Sequence, residues 1–410
     1  MISTIEVYPE TKAEWNLLRE YGRDRIRIHR LEAFDTFIDV HEFGAALTSF
    51  FHSGQQAIVA YADPFAYLAP ETDYLGVCLT PFAGRLNTEG EAVQNYLCGI
   101  DLPPLLLHSG EQGGARRFWD LVEQSGNSMT LAYTVEDGAD GFCGKRRFSV
   151  RYALTGPGEL ELYLRCESDR ETIANIGFHP YFNLSKYPDI NLHELRIYAE
   201  EIYLTDERML PKWECRYPTQ GSMLDFCPRS KCRKQLQQSL KYARSQAGEK
   251  PAAEQADESP EQAEIRASLA QFAGLDHYFI TQPKPQEAES EKGELRRQVR
   301  VYAPDTQSIL ELLSDAPGVV VYSGQHCGKY EEVPKPRDLN ANRLVTAYCA
   351  LAIEPQMVPD GPNNPELLQD YIVSPEKPQE RRIIYRLTPP EDLRHGPDTA
   401  DFKIFDDPLA

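Results

Sequence analysis

The sequence lacks an apolar run approaching the roughly 18 residues that a membrane-spanning helix needs. Its first residues, MISTIEVYPETKAEW, show neither the basic cluster nor the apolar core of a secretory leader. Basic residues are in deficit, 43 Lys and Arg against 63 Asp and Glu, for a net charge of -20. Phosphate backbones and anionic lipid surfaces call for the opposite balance, so nucleic acid and membrane are excluded as partners. There is no G-x-S-x-G elbow, no G-x-x-x-x-G-K-[S/T] loop, no H-E-x-x-H and no G-x-G-x-x-G. Counting does not exclude a glycosidase-type carboxylate pair in so acidic a chain.

Nine cysteines are scattered without a repeating spacing. Free thiols in a reducing compartment follow, and a cytoplasmic location is expected. Cys227 and Cys232 form a C-x4-C pair, but no second Cys or His pair follows at zinc-finger spacing. No metal or other cofactor is expected. The Asn183-Leu184-Ser185 sequon is read as chance without a secretory leader.

What is present is a succession of strands. Glu159–Cys166 (ELELYLRC) alternates polar and apolar, the mark of a half-buried antiparallel strand. Phe148–Leu154, Leu195–Tyr203, Gln298–Ala303, Gly318–Tyr322 and Arg382–Leu387 read similarly. Thirty prolines and 26 glycines supply the turns of such a fold. The pattern predicts an all-β, large antiparallel β-sandwich over residues 36–390, with an N-terminal extension over 1–35 and an acidic tail over 391–410. Arg229–Leu269 is mostly polar and reads as an insertion, helical at Lys231–Ser245 and mobile beyond. Gln282–Lys292 is a second polar loop.

Five stretches contain residues suited to chemistry. In TPFAGR, Arg85 is either a surface charge or a planar donor fork for sugar hydroxyls. In LLLHSG, His108 ends an apolar run at an open turn, as a core histidine or a site residue. In NIGFHPYFNLS, His179 lies between glycine, proline and aromatics at a kink that fixes its position near a proton to be moved. In GLDHYFI, Asp276 either starts a turn or accepts bonds from two hydroxyls. In AIEPQ, Glu354 ends a strongly apolar run, and burial there would raise its pKa into the range of a general base.

Together and in this order, PFAGR, LHSG, FHPYFNL, LDHYFI and AIEPQ resemble the aldose 1-epimerase (galactose mutarotase) family. FGAALTSF at Phe43–Phe50, YLTDERMLP at Tyr203–Pro211, VVVYSG at Val319–Gly324 and VPDGPNNP at Val358–Pro365 extend the likeness over roughly residues 36–387. The resemblance implies a single supersandwich with a hexose bound in a cleft on one sheet. It implies that Glu354 is the base, that His179 is the acid at the ring oxygen, and that His108 supports it, leaving open which histidine is the main acid. Arg85 and Asp276 would orient the sugar, with no cofactor. The implied activity is anomer interconversion of a free hexose. A hexose-phosphate epimerase and a non-catalytic carbohydrate-binding protein are the alternatives, and oligomeric state is left open. Three motifs depart from the usual pattern: Gly84 stands where many relatives have Asn, Ser109 where many have Gly, and Pro211-Lys212-Trp213-Glu214 replaces Pro-Thr-Gly-Glu.

Overall fold

A computed structural model describes all residues except 71, 215, 228–233, 247–258, 282–293, 329–344 and 391–410. The fold is an antiparallel β-sandwich. Its larger sheet has eight strands in the order Glu194–Ile197, Arg296–Ala303, Ser308–Ser314, Gln379–Thr388, Glu159–Ser168, Arg146–Gly156, Ser128–Val135 and Asp120–Gln124. The facing sheet has six: Tyr181–Phe182, Leu351–Gln356, Gly318–Tyr322, Asp276–Ile280, Glu201–Tyr203 and Tyr217–Pro218. Strand 159–168 shows why the pairing holds. Leu160, Leu162, Leu164 and Cys166 alternate inward and are buried. The outward Glu159 and Glu161 meet Arg386 and Arg382 of the adjacent strand at 2.8 and 2.6 Å. The inward leucines share one core with Val319, Val321, Leu351 and Ile353 of the six-stranded sheet.

Period-two alternation leaves the opposite face of that six-stranded sheet for Glu354, Gln356, Val320, Tyr322, Asp276, Tyr278 and Tyr203. The register places Glu354 beside Val320, Val320 beside Tyr278, and Tyr278 beside Tyr203. Asp276 pairs with Tyr322 in the adjoining row.

The structure departs from the sequence reading in three places. Leu195–Tyr203 is two strands, Glu194–Ile197 in the larger sheet and Glu201–Tyr203 in the facing one, because the chain crosses between layers at Tyr198–Glu200. Residues 1–35 contribute strands Ile2–Val7 and Ile26–Ala33 to a five-stranded sheet with Thr36–His41, Ala46–His52 and Gln55–Gln56. Between them lies the helix Lys12–Glu20, started by a Thr11/Glu14 capping box. The insertion holds two helices, Gln235–Gln246 and Pro260–Phe272. The second occupies the end of the segment read as mobile, from Pro260 onward. Ser259 and Gln262 form its capping box, Pro260 opens it, and Ile265 and Leu269, one turn apart, are fully buried. Residues 247–258, the loop Gln282–Lys292 and the tail from 391 onward lie outside the described residues, as does Cys232.

Among the described residues, the pair Arg146–Asp140 is fully internal. Arg146 (0 % exposed) reaches Asp140 (1 %) at 2.6 Å and also donates to the carbonyls of Gly144 and Phe142. Asp140 Oδ2 and Arg146 Nη1 have no hydrogen-bond partner.

Candidate active site

All five sequence-derived site residues, Arg85, His108, His179, Asp276 and Glu354, line one cleft above the six-stranded sheet. Each is delivered by a different segment. Glu354 stands on strand Leu351–Gln356 and is 3 % exposed. His179 leaves strand Gly177–Phe178 and is held by backbone bonds, His179 N–H to the Val77 carbonyl at 3.0 Å and Gly76 N–H to the His179 carbonyl at 2.9 Å. Its ring stacks on Tyr181 at 4.9 Å, so Tyr181 is the aromatic that positions it, while Phe182 turns into the core.

His179 Nε2 lies 3.2 Å from Glu354 Oε1. His108 meets the His179 ring edge-on at 5.3 Å. The donor atoms of His108, His179 and Glu354 all fall within 4.8 Å of one another, close enough to exchange protons with one substrate or to hold a cation. Burial, with the Asp276 charge second, pushes the Glu354 carboxyl well above the usual carboxylate range; Gln356 and Arg85 oppose the shift. Burial brings His179 down to about 3. Burial, then His179 and Arg85, lowers His108 well below the ordinary imidazole value. Each member of the pair is thus driven toward its neutral form.

The departures from the usual motifs have local causes. Gly84 has φ +75°, and a Cβ there would lie 2.7 Å from Pro359 Cγ, so the space an Asn would need is filled. The Gly84 N–H donates to His108 Nδ1 at 3.1 Å, and the His108 N–H returns a bond to the Gly84 carbonyl at 2.9 Å. A neutral His108 therefore carries its proton on Nε2. Ser109 Oγ accepts from the Phe82 N–H at 2.7 Å and donates to the Phe82 carbonyl at 3.1 Å. These two hydrogen bonds accompany φ values of +50° at His108 and +67° at Ser109, a backbone form that non-glycine residues seldom adopt.

Two further lining residues are not singled out as site residues in the sequence. Gln356 donates from Nε2 to Glu354 Oε2 at 3.1 Å; its place follows from period two once Glu354 is on the cleft face. Tyr74 touches His108 at 4.8 Å between ring centroids, a contact across the fold that local pattern does not encode.

Arg116-Arg117 and Lys145-Arg146-Arg147, the basic clusters nearest the site motifs in the sequence, do not line the cleft. Arg116 is buried against the Tyr67 and Ala69 carbonyls, Arg146 pairs with Asp140, and Lys145 with Glu136. Among the described lining residues, Arg85 is the single Lys or Arg, in a lining that also holds Asp73, Asp276 and Glu354.

The family model for aldose 1-epimerase matches residues 29–386, nearly the whole sandwich. The chain belongs to the aldose 1-epimerase family. It is 26% identical to the aldose 1-epimerase of Escherichia coli K12 over 322 residues, 77% of this chain and 79% of that one. It is 28% identical to human galactose mutarotase over 198 residues, 46% of this chain and 57% of that protein. The crystal structure of galactose 1-epimerase from Lactobacillus acidophilus NCFM superimposes with a TM-score of 0.68 at 22% identity, covering 95% of this chain and 99% of that one. That likeness establishes the shared fold. No helix among the described residues is long and apolar enough to cross a membrane.

Proposed function

We propose that this family member interconverts the α and β anomers of a free hexose by acid–base ring opening and closure. The observation that supports it most is the buried contact between His179 and Glu354 at 3.2 Å. Glu354 takes the proton of the anomeric hydroxyl as His179 gives one to the ring oxygen. The bond from C1 to the ring oxygen breaks and the C1 carbonyl forms. Rotation about C1–C2 and re-addition of the hydroxyl to the other carbonyl face close the opposite anomer, and both protons return.

The pair passes from carboxylate and imidazolium to carboxylic acid and neutral imidazole as the ring opens. Burial favours that neutral form. The charged starting form must therefore be held by the 3.2 Å contact between the two groups, and closure restores it. His108, with Nε2–H as donor, assists at the ring oxygen. Arg85 and Asp276 hold hydroxyls in register, where fixed orientation contributes to rate. Only protons and one C–O bond change, so no redox group is called for. Seven described cysteines are free, in keeping with a cytoplasmic setting.

A sugar phosphate is the weaker reading, because the described lining holds one arginine against three acidic residues. A mere binding protein has no use for a buried proton-transfer pair, which is expensive to desolvate. The test is the optical rotation of freshly dissolved α-D-glucose and α-D-galactose. Wild type is expected to speed equilibration, and both Glu354→Gln and His179→Asn to abolish the acceleration. Folded wild type that accelerates neither sugar would sink the reading.

Asp276 supplies a pH prediction. Burial pushes its carboxyl up to about 6, against the pull of Arg85. Above that value it is a carboxylate that accepts from sugar hydroxyls at both oxygens; below it the charge that strengthens those bonds is lost. KM is expected to rise toward about tenfold per unit as pH falls below that point. Asp276→Asn should have a higher KM that no longer changes there. A wild-type KM that is level across roughly pH 5 to 7 would remove Asp276 from sugar binding.

A further inference from the structure

The structure assigns the second insertion helix, Pro260–Phe272, the task of positioning Asp276, through a hydrogen-bonded chain from Ser268 and His277 to the Asp276 backbone; this rests on the proposal that Asp276 holds the sugar. The direction of each bond is determined. The Asp276 N–H donates to His277 Nδ1 at 3.1 Å. Burial keeps the His277 imidazole neutral, and a neutral ring that accepts at Nδ1 carries its proton on Nε2. His277 Nε2–H then donates to Ser268 Oγ, 2.8 Å away. Ser268 Oγ–H donates to the Ile265 carbonyl at 2.7 Å. Ser268 is 6 % exposed and His277 3 %, so solvent cannot stand in for a missing member.

The helix is a firm anchor for this chain. Ile265 and Leu269 are fully buried in the main core. Arg266 Nη1 donates to the Tyr242 hydroxyl of the first insertion helix at 3.2 Å. At the other end Ala273 takes the left-handed conformation, the Gly274 N–H bonds back to the Leu269 carbonyl at 3.2 Å, and the backbone enters the strand that begins at Asp276. The same helix also holds the far wall. Glu264 Oε2 accepts from Lys212 Nζ at 3.3 Å and from the Tyr217 hydroxyl at 2.9 Å, and Lys212 follows Pro211, which lines the cleft. Ser268 itself does not line the cleft, so it is a positioning residue.

Removing the Ser268 hydroxyl leaves His277 Nε2–H buried without an acceptor. The ring then turns, and the peptide that leads into Asp276 loses its partner. Ser268→Ala is therefore expected to raise KM for the hexose about 2- to 30-fold with kcat unchanged. Ser268→Thr, which keeps the hydroxyl, should return KM toward wild type. Nitrogen NMR gives a readout that a general loss of stability would not move: His277 should hold the Nε2–H form in wild type down to roughly pH 5 and lose that fixed form in Ser268→Ala. Should the alanine variant not fold, Ser268→Cys, with its weak acceptor, takes its place. An unchanged KM, or a fall in kcat without a change in KM, would overturn the assignment. Wild type without mutarotation would instead defeat the functional reading, and the His277 resonances would still decide whether the chain of bonds exists.

Discussion

Glu354→Gln is expected to lower kcat by about 10²–10⁴-fold, the usual worth of a positioned acid or base. At 1.36 kcal/mol per decade this is about 3–5 kcal/mol of barrier. His179→Asn should lose a similar amount. The two act on one proton inventory, so the double variant should fall little further than Glu354→Gln alone. Losses that multiply would show that the two residues work in separate steps. The same substitution has a second, opposite signature. The Glu354 carboxyl is raised in the folded state, so the native protein binds a proton that the unfolded chain releases near the ordinary value. Wild-type stability from this group is complete at low pH and declines as pH rises through the folded pKa. Gln cannot ionise. The variant's melting temperature is therefore expected to gain on wild type as pH is raised from about 5 to 8. A catalytic loss without that gain would mean that the carboxylate is better compensated in the fold than its surroundings indicate.

Asp140→Ala is expected to cost about 3–5 kcal/mol, because it leaves Arg146 fully buried and uncompensated. Denaturant midpoints at unchanged slope measure it. Replacing both partners, Asp140→Leu with Arg146→Met, should recover most of the loss, since the pair already carries two unpartnered atoms. If the double variant is as weak as Asp140→Ala, the bonds from Arg146 to the Gly144 and Phe142 carbonyls matter more than the ion pair.

The sandwich was legible wherever one strand face meets the core. Glu159–Cys166 shows it, because burial imposes a period of two on the sequence itself. It was less legible at Leu195–Tyr203, where one apolar stretch serves two sheets and composition does not mark the crossing. The helix Pro260–Phe272 was hidden by its polar surroundings, although the Ser259/Gln262 box and the Ile265–Leu269 spacing were there to be read. The five site residues stood out through motifs and family resemblance, and the structure brings them to one cleft. What pattern could not supply was the company they keep. That Val320 separates Glu354 from Tyr278, that Pro359 fills the space over Gly84, and that Ser268 reaches His277 are facts of register and packing between distant segments.

The cleft's five side chains come from positions 85, 108, 179, 276 and 354, on or beside strands of three different sheets. Pairings this far apart in sequence form late, because long loops must close before they are rewarded. No contiguous fragment shorter than residues 85–354 contains the set. During refolding, strand content and core fluorescence should therefore recover ahead of turnover, which makes the return of activity a clock for the last step of assembly rather than for collapse.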